Sequence, residues 1–132
     1  MPQLVKRGKW VYGRVVMSGD RYIRLPQEAW TDYNFKAGAP AVFVRGSATS
    51  GGFGLGTVER LAGLFATRML GRSVFEEGRR VRVHETVHIR PWQSLYAIRG
   101  SARTLGMIER GPVFDAATAF QGSPECLTDD LP

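Results

Sequence analysis

The chain predicts a mainly β protein: a small pseudo-symmetric β-barrel built from an internal duplication and carrying two or three helices. Three observations predict it. The phrase Arg45-Gly46-Ser47-Ala48 recurs as Arg99-Gly100-Ser101-Ala102, each copy preceded by a short apolar run and followed by a glycine-bearing apolar stretch. Short runs rich in β-branched and aromatic residues alternate with turn-forming clusters. At 132 residues the chain has room for one core, so the copies are halves of one body rather than two domains. The expected organisation is one domain over 1–124, with halves near 9–70 and 71–120, and a loose acidic tail over 125–132.

The elements follow in order. Trp10 to Met17 reads as a strand, and Ser18-Gly19-Asp20 as a turn whose glycine and aspartate suit positive φ or local side-chain bonding. Arg21 to Leu25 is a second strand. Pro26 opens a short helix through Tyr33, with Glu28 near its positive dipole end. The turn Phe35 to Pro40 returns the chain to the strand Ala41 to Val44. Val58, Leu61, Ala62, Phe65 and Met69 have helical spacing, so a helix is expected over Thr57 to Leu70, with Thr57 as its N-cap and Gly71 as its stop. The second half begins with Ser73-Val74-Phe75 and a turn at Glu76-Glu77-Gly78. A long strand is expected from Arg80 to Arg90, then strands at Leu95 to Ile98 and Leu105 to Ile108, and a short helix from Val113 to Phe120.

Composition narrows the class. A 43% hydrophobic and 11% aromatic content excludes a disordered chain. No run approaches the roughly 18 apolar residues that cross a bilayer, and Met1 to Arg7 lacks the apolar core of a signal peptide. A single cysteine, Cys126, forms no internal disulfide, so a cytoplasmic protein without membrane contact is the expectation. The duplication permits either a monomer or a homodimer. The formal net charge is +6, and about +9 once the acidic tail is set aside. That balance favours an anionic partner, although fifteen of the 18 basic residues are arginine, as arginine-preferring codon usage also produces.

His84-Glu85-Thr86-Val87-His88 matches the H-E-x-x-H zinc-protease signature, but that chemistry needs a helix, where the two histidines lie about 6 Å apart. Here Val81, Val83, Glu85, Val87 and Ile89 alternate with polar residues and predict a strand. Strand geometry would put the histidines roughly 13 Å apart with Glu85 on the other face. No zinc site is expected. Gly51 to Gly56 precedes the expected helix, so Arg45, Ser47, Gly52, Gly54, Gly56 and Thr57 form a candidate anion or ligand loop. The spacing matches neither phosphate-loop fingerprint, and close backbone approach explains the glycines at least as well. Ser47 and Ser101 read as turn residues bonding nearby backbone. Arg45 and Arg99 either pair with carboxylates or form a symmetric pair of anion contacts.

The segment from Trp10 to Leu55 resembles the SpoVT/AbrB-like swapped-hairpin superfamily. The resemblance rests on Gly19-Asp20-Arg21-Tyr22-Ile23-Arg24-Leu25-Pro26, on the helix and turn from Glu28 to Gly38, and on Val42-Phe43-Val44 with Phe53-Gly54-Leu55 as closing strands. It covers about a third of the chain well. It implies an AbrB-like barrel of interlocked hairpins that binds DNA, with contacts from Arg14, Arg21 and Arg24 and flanking phosphate contacts from Lys6, Arg7 and Lys9. Two departures stand out. The chain is much longer than the family's domain, and its second copy replaces the Leu-Pro helix with His88-Ile89-Arg90-Pro91-Trp92. The expected function is therefore a non-enzymatic DNA-binding transcriptional regulator needing no cofactor. The alternative is a ligand- or protein-binding module with its site near the glycine-rich loop.

Overall fold

The computed structural model describes residues 3–4, 10–61, 69–100, 103–119 and 126–128. The elements are β1 (Gln3–Leu4), β2 (Trp10–Val16), β3 (Tyr22–Arg24), α1 (Gln27–Asp32), β4 (Pro40–Arg45), β5 (Phe53–Gly56), β6 (Met69–Glu76), β7 (Arg80–Arg82), β8 (Ser94–Arg99), β9 (Leu105–Ile108), α2 (Pro112–Ala119) and β10 (Cys126–Thr128). The sheet runs β1-β2-β8-β9-β5-β4-β6-β7-β3, with β10 attached to β2. The Ser18 N–H donates to the Tyr22 carbonyl at 2.9 Å, which ties β2 to β3 and brings the far ends of the path together. β2 to β9 thus make a nearly closed barrel, the arrangement that leaves fewest unpaired edges.

The register repeats on either side of the β5–β9 contact, where Gly54 faces Gly106. Each of these strands pairs with its own hairpin partner, β4 or β8. Beyond them, β8 pairs with β2 and β4 with β6. The β2 ladder skips Tyr12 between Val11 and Gly13, and the β6 ladder skips Leu70 between Met69 and Gly71. At the end of the path Ile23 faces Val81, flanked by Tyr22 opposite Arg82 and Arg24 opposite Arg80. Two bonds bracket that ribbon: Leu25 N–H to Arg79 O and Val83 N–H to Arg21 O, both 2.8 Å. Among the described residues the non-glycine positive φ values fall at Arg21 (70°), Arg79 (61°), Asn34 (57°) and Trp92 (68°). The spacing from Arg21 to Arg79 is the same as from Asn34 to Trp92.

Strand alternation sorts the side chains. Phe43, Phe53, Leu55, Leu95, Leu105 and Met107 point inward and are fully or almost fully buried. α1 adds Ala29, Trp30 and nearby Tyr33 to this core. Phe35 and Phe75 stack with centroids 4.3 Å apart, and Trp30 meets Phe75 edge-on at 5.6 Å. Part of the outer face is apolar and is also covered. Val42 and Val44 lie under Leu61 and Val58, while Val11, Tyr96, Ile98 and Ile108 lie under α2.

Three expectations change. Thr57 to Leu61 form a turn, and Met69 to Gly71 belong to β6; residues 62–68 of the expected helix lie outside the described residues. The apolar spacing of Val58 and Leu61 reflects packing onto β4, a tertiary demand that mimics a helical face. The expected strand Arg80 to Arg90 ends at Arg82, with a turn at Glu85 and Thr86. Val83, Val87 and Ile89 are still buried, but the carbonyls of Val83, His84 and Val87 accept from the Arg21 guanidinium instead of a neighbouring strand. Within the expected loose tail, Cys126–Thr128 pair in parallel with Arg14–Val16.

Gly52 shows how tightly the crossings are built. It has φ of 67°, and a Cβ there would lie 1.8 Å from the Met107 carbonyl oxygen. Gly52→Ala is expected to cost more than about 2 kcal/mol in chemical denaturation, combining backbone strain with a steric clash. Gly38→Ala, where φ is 91° but nothing lies within 4 Å of the added carbon, should cost about 1 kcal/mol. Equal losses at the two positions would contradict this packing.

Candidate nucleic-acid interface

The ribbon of β3 and β7 takes one strand from each half of the chain. Ile23 and Val81 enter the core, so alternation places Tyr22, Arg24, Arg80 and Arg82 on its other face. The register sets Arg24 opposite Arg80, a like-charge cross-strand pair that opposes folding. Some of this charge is engaged. The Arg80 guanidinium lies over the Tyr22 ring at 4.3 Å, a cation–π arrangement, and Arg82 meets Glu85 at 3.5 Å on the surface. The Tyr22 hydroxyl donates to Glu76 at 2.8 Å. That bond, followed by burial and the charge of Glu76, raises the phenol above its ordinary pKa. Arg24 Nε is buried without a hydrogen-bond partner among the described residues, a position that destabilises the fold unless something accepts from it.

Behind the ribbon, two arginines clamp one half of the chain to the other. Arg21 donates from Nε to Val83 O (3.0 Å) and from Nη2 to His84 O (2.8 Å) and Val87 O (2.9 Å). Arg79 donates from Nε to Leu25 O (2.9 Å) and from Nη1 to Gln27 Oε1 (3.2 Å). Beside Arg21, the Ser18 hydroxyl donates to the Asp20 carboxylate. This bond is the main cause holding Asp20 below the usual carboxylate pKa, with Arg80 a lesser one. The left-handed residue of this turn is Arg21, rather than the expected glycine or aspartate.

The proposed contacts thus separate. Arg24 stands on the ribbon face, Arg21 binds backbone behind it, and Arg14 is exposed on β2. Lys6, Arg7 and Lys9 lie outside the described residues. Arg80, Arg82 and Tyr22 were not among the expected contacts. Their signal was available, since Arg21-Tyr22-Ile23-Arg24-Leu25 recurs as Arg79-Arg80-Val81-Arg82-Val83.

The second candidate group divides as well. Arg45, Ser47 and Gly54 line a cavity of about 350 Å³, and Gly52 lines an adjoining one of about 380 Å³. Gly56 and Thr57 line neither. A Cβ at Gly56 would sit 2.7 Å from Arg103 O, so this glycine permits close backbone approach. The Thr57 hydroxyl accepts from Arg60 N–H at 3.3 Å within a turn, and among the described residues no helix begins at Thr57. The Ser47 hydroxyl accepts from Ser50 N–H at 3.0 Å, the local bonding expected of a turn serine. Arg99 approaches Tyr12 and Asp32 at the surface, and Ser101 lies outside the described residues. Of the H-E-x-x-H residues, His84 packs against Gly71, and its Nδ1 accepts from Thr86 N–H at 3.1 Å.

Comparison of the chain with protein-family models, with curated proteins and with solved structures finds no match. Among the described residues no helix is long and apolar enough to cross a membrane.

Arg21→Ala should lower stability by about 3 kcal/mol, because it removes three charge-assisted bonds and takes from Val83 O its donor, while His84 O and Val87 O keep only the N–H groups of Val87 and Ile89. Arg24→Ala should change stability by less than about 1 kcal/mol. Urea denaturation of both variants separates the two roles; similar losses would contradict the assignment.

Proposed function

We propose that the protein is an AbrB-like swapped-hairpin barrel, produced by internal duplication, that binds duplex DNA as a cytoplasmic transcriptional regulator. The observation that carries this reading is the ribbon face on which Arg24 and Arg80 oppose each other beside Arg82. A cluster of guanidinium groups on adjacent strands weakens the isolated protein and gains when phosphates lie between them. Two-stranded ribbons fit the major groove of B-DNA, and Tyr22, Arg24, Arg80 and Arg82 lie on the face of the ribbon turned away from the core.

The duplication is supported by the matched bulges at Tyr12 and Leu70 and by the equivalent roles of Arg21 and Arg79. In a one-chain barrel both strands of the ribbon come from the same molecule, so one chain per DNA site is the expected stoichiometry. The two halves are unequal in chemistry: Tyr22 stands on β3 where Arg80 stands on β7. Exposed Trp92 lies over Gly19, next to the turn that leads into β3, and offers an aromatic surface beside the arginines.

Fluorescence anisotropy with a labelled generic duplex tests the reading. Binding at 50 mM salt should weaken steeply at 200 mM, since each neutralised phosphate contributes about −0.9 to the slope of log K against log salt. Replacing Arg24, Arg80 and Arg82 together by alanine should reduce that slope by about 2 to 3 while the circular dichroism spectrum is preserved. Absence of binding at low salt, or a triple variant with the parent's slope, would overturn it.

A further inference from the structure

The outer face of the barrel wall at β5 and β9 carries a feature that nucleic-acid binding leaves unused. Gly54 and Gly106 face each other across these strands and project no side chain. Val44 leans over Gly54 and Ile98 over Gly106, within 2.9 Å and 3.0 Å of where a Cβ would be. The cavity of about 350 Å³ at this place is lined by Val44, Ile98, Ile108 and Val113, with Arg45 and Arg103 also on its wall. The nearest carboxylate beside its wall, Glu109 next to Gly51, is already engaged by Arg110 at 2.6 Å and Gln93 at 2.8 Å. Its volume lies within the range of small-molecule sites, which combine apolar walls with a few oriented polar groups.

The cavity is firmly built. Ser50 O accepts from the N–H groups of Glu109 and Arg110 at 3.0 and 3.1 Å, and Gly51 N–H donates to Ser47 O at 2.8 Å. Arg110 reaches Ala48 O at 3.1 Å. The 47–51 loop is thereby held to the segment that leads into α2, and Val113 of α2 closes one side. A preformed cavity loses little entropy on binding.

We infer that this cavity binds a small amphipathic anion: a compact apolar body bearing one carboxylate or phosphate. The aliphatic walls accept the body. With five N–H donors each, the guanidinium groups of Arg45 and Arg103 can add bonds to either anionic group beside the interactions they already make. The site is lined from β4, β5, β8, β9 and α2 and shares no residue with the β3–β7 ribbon.

The test is titration of the ¹⁵N-labelled full chain with hexanoate, phenyl phosphate, acetate and 1-hexanol, followed by amide chemical shifts. Hexanoate or phenyl phosphate should give saturable shifts at Gly54, Gly100 and Gly106, and comparison of hexanoate with hexyl phosphate, which keeps an alkyl body, identifies the anionic group. Acetate and 1-hexanol, each lacking one part of the ligand, should bind at least tenfold more weakly. Arg103→Gln, a change at an exposed position, should weaken the anions about tenfold without affecting 1-hexanol. Val113→Trp should fill the cavity and remove the response. If Val113→Trp fails to fold, Arg103→Gln and the shift map still decide. Absence of shifts at the three glycines with both anions, or parent-like binding by Arg103→Gln, would overturn the proposal.

Discussion

The rest of the molecule depends on a reciprocal hold between two arginines in left-handed backbone. Arg21 and Arg79 have φ of 70° and 61°, a conformation that costs an ordinary residue about 1–2 kcal/mol. Each offsets the strain by bonding the other half of the chain. Their carbonyls accept from Val83 and Leu25, and their guanidinium groups donate to backbone carbonyls across the ribbon. Without these bonds, β3 and β7 would be three-residue strands with little to hold their pairing. The Val83 carbonyl would also lack its donor, and those of His84 and Val87 would keep only the local N–H groups of Val87 and Ile89.

That hold explains why the two halves can differ. The first half fills the connection after β3 with α1, whose Trp30 packs with Phe35 and Phe75, while nearby Tyr33 stacks on Phe35 and Phe35 on Phe75. The second half uses an irregular segment fastened by Arg21 and anchored by Val83, Val87 and Ile89. Both routes deliver the chain to the same kind of strand, β4 or β8. The outer face is treated similarly: after β5 comes the turn bearing Val58 and Leu61, and after β9 comes α2. Gly54 and Gly106 let Val44 and Ile98 lie against the sheet between these two covers, and all four residues line the cavity.

Much of this was legible in the sequence. The mainly β class, the strand-end position of Arg45 and Arg99 and the short helix after Leu25-Pro26 all follow from local chemistry. The misread segments have one cause in common: local periodicity was recorded faithfully, but its tertiary source was not local. Val58 and Leu61 are spaced for β4, and Val81 to Ile89 alternate because their apolar members reach the core, while an arginine distant in sequence satisfies their backbone. Reading Met69 to Gly71 as a helix end also concealed the likeness of Leu70-Gly71-Arg72 to Tyr12-Gly13-Arg14, each with a ladder shift at its first residue. The ribbon face was half legible. Arg24 stood out beside Leu25-Pro26, but Arg80 and Arg82 become its neighbours only through a pairing between distant strands.

The central claim is that strands from the two halves form one DNA-binding surface. Mapping amide chemical-shift changes as duplex DNA is added to the full chain at low salt tests it most directly. The account predicts that Tyr22–Arg24 and Arg80–Arg82 respond together and saturate at one chain per duplex site. Changes confined to one of these strands, or located away from both, would contradict it.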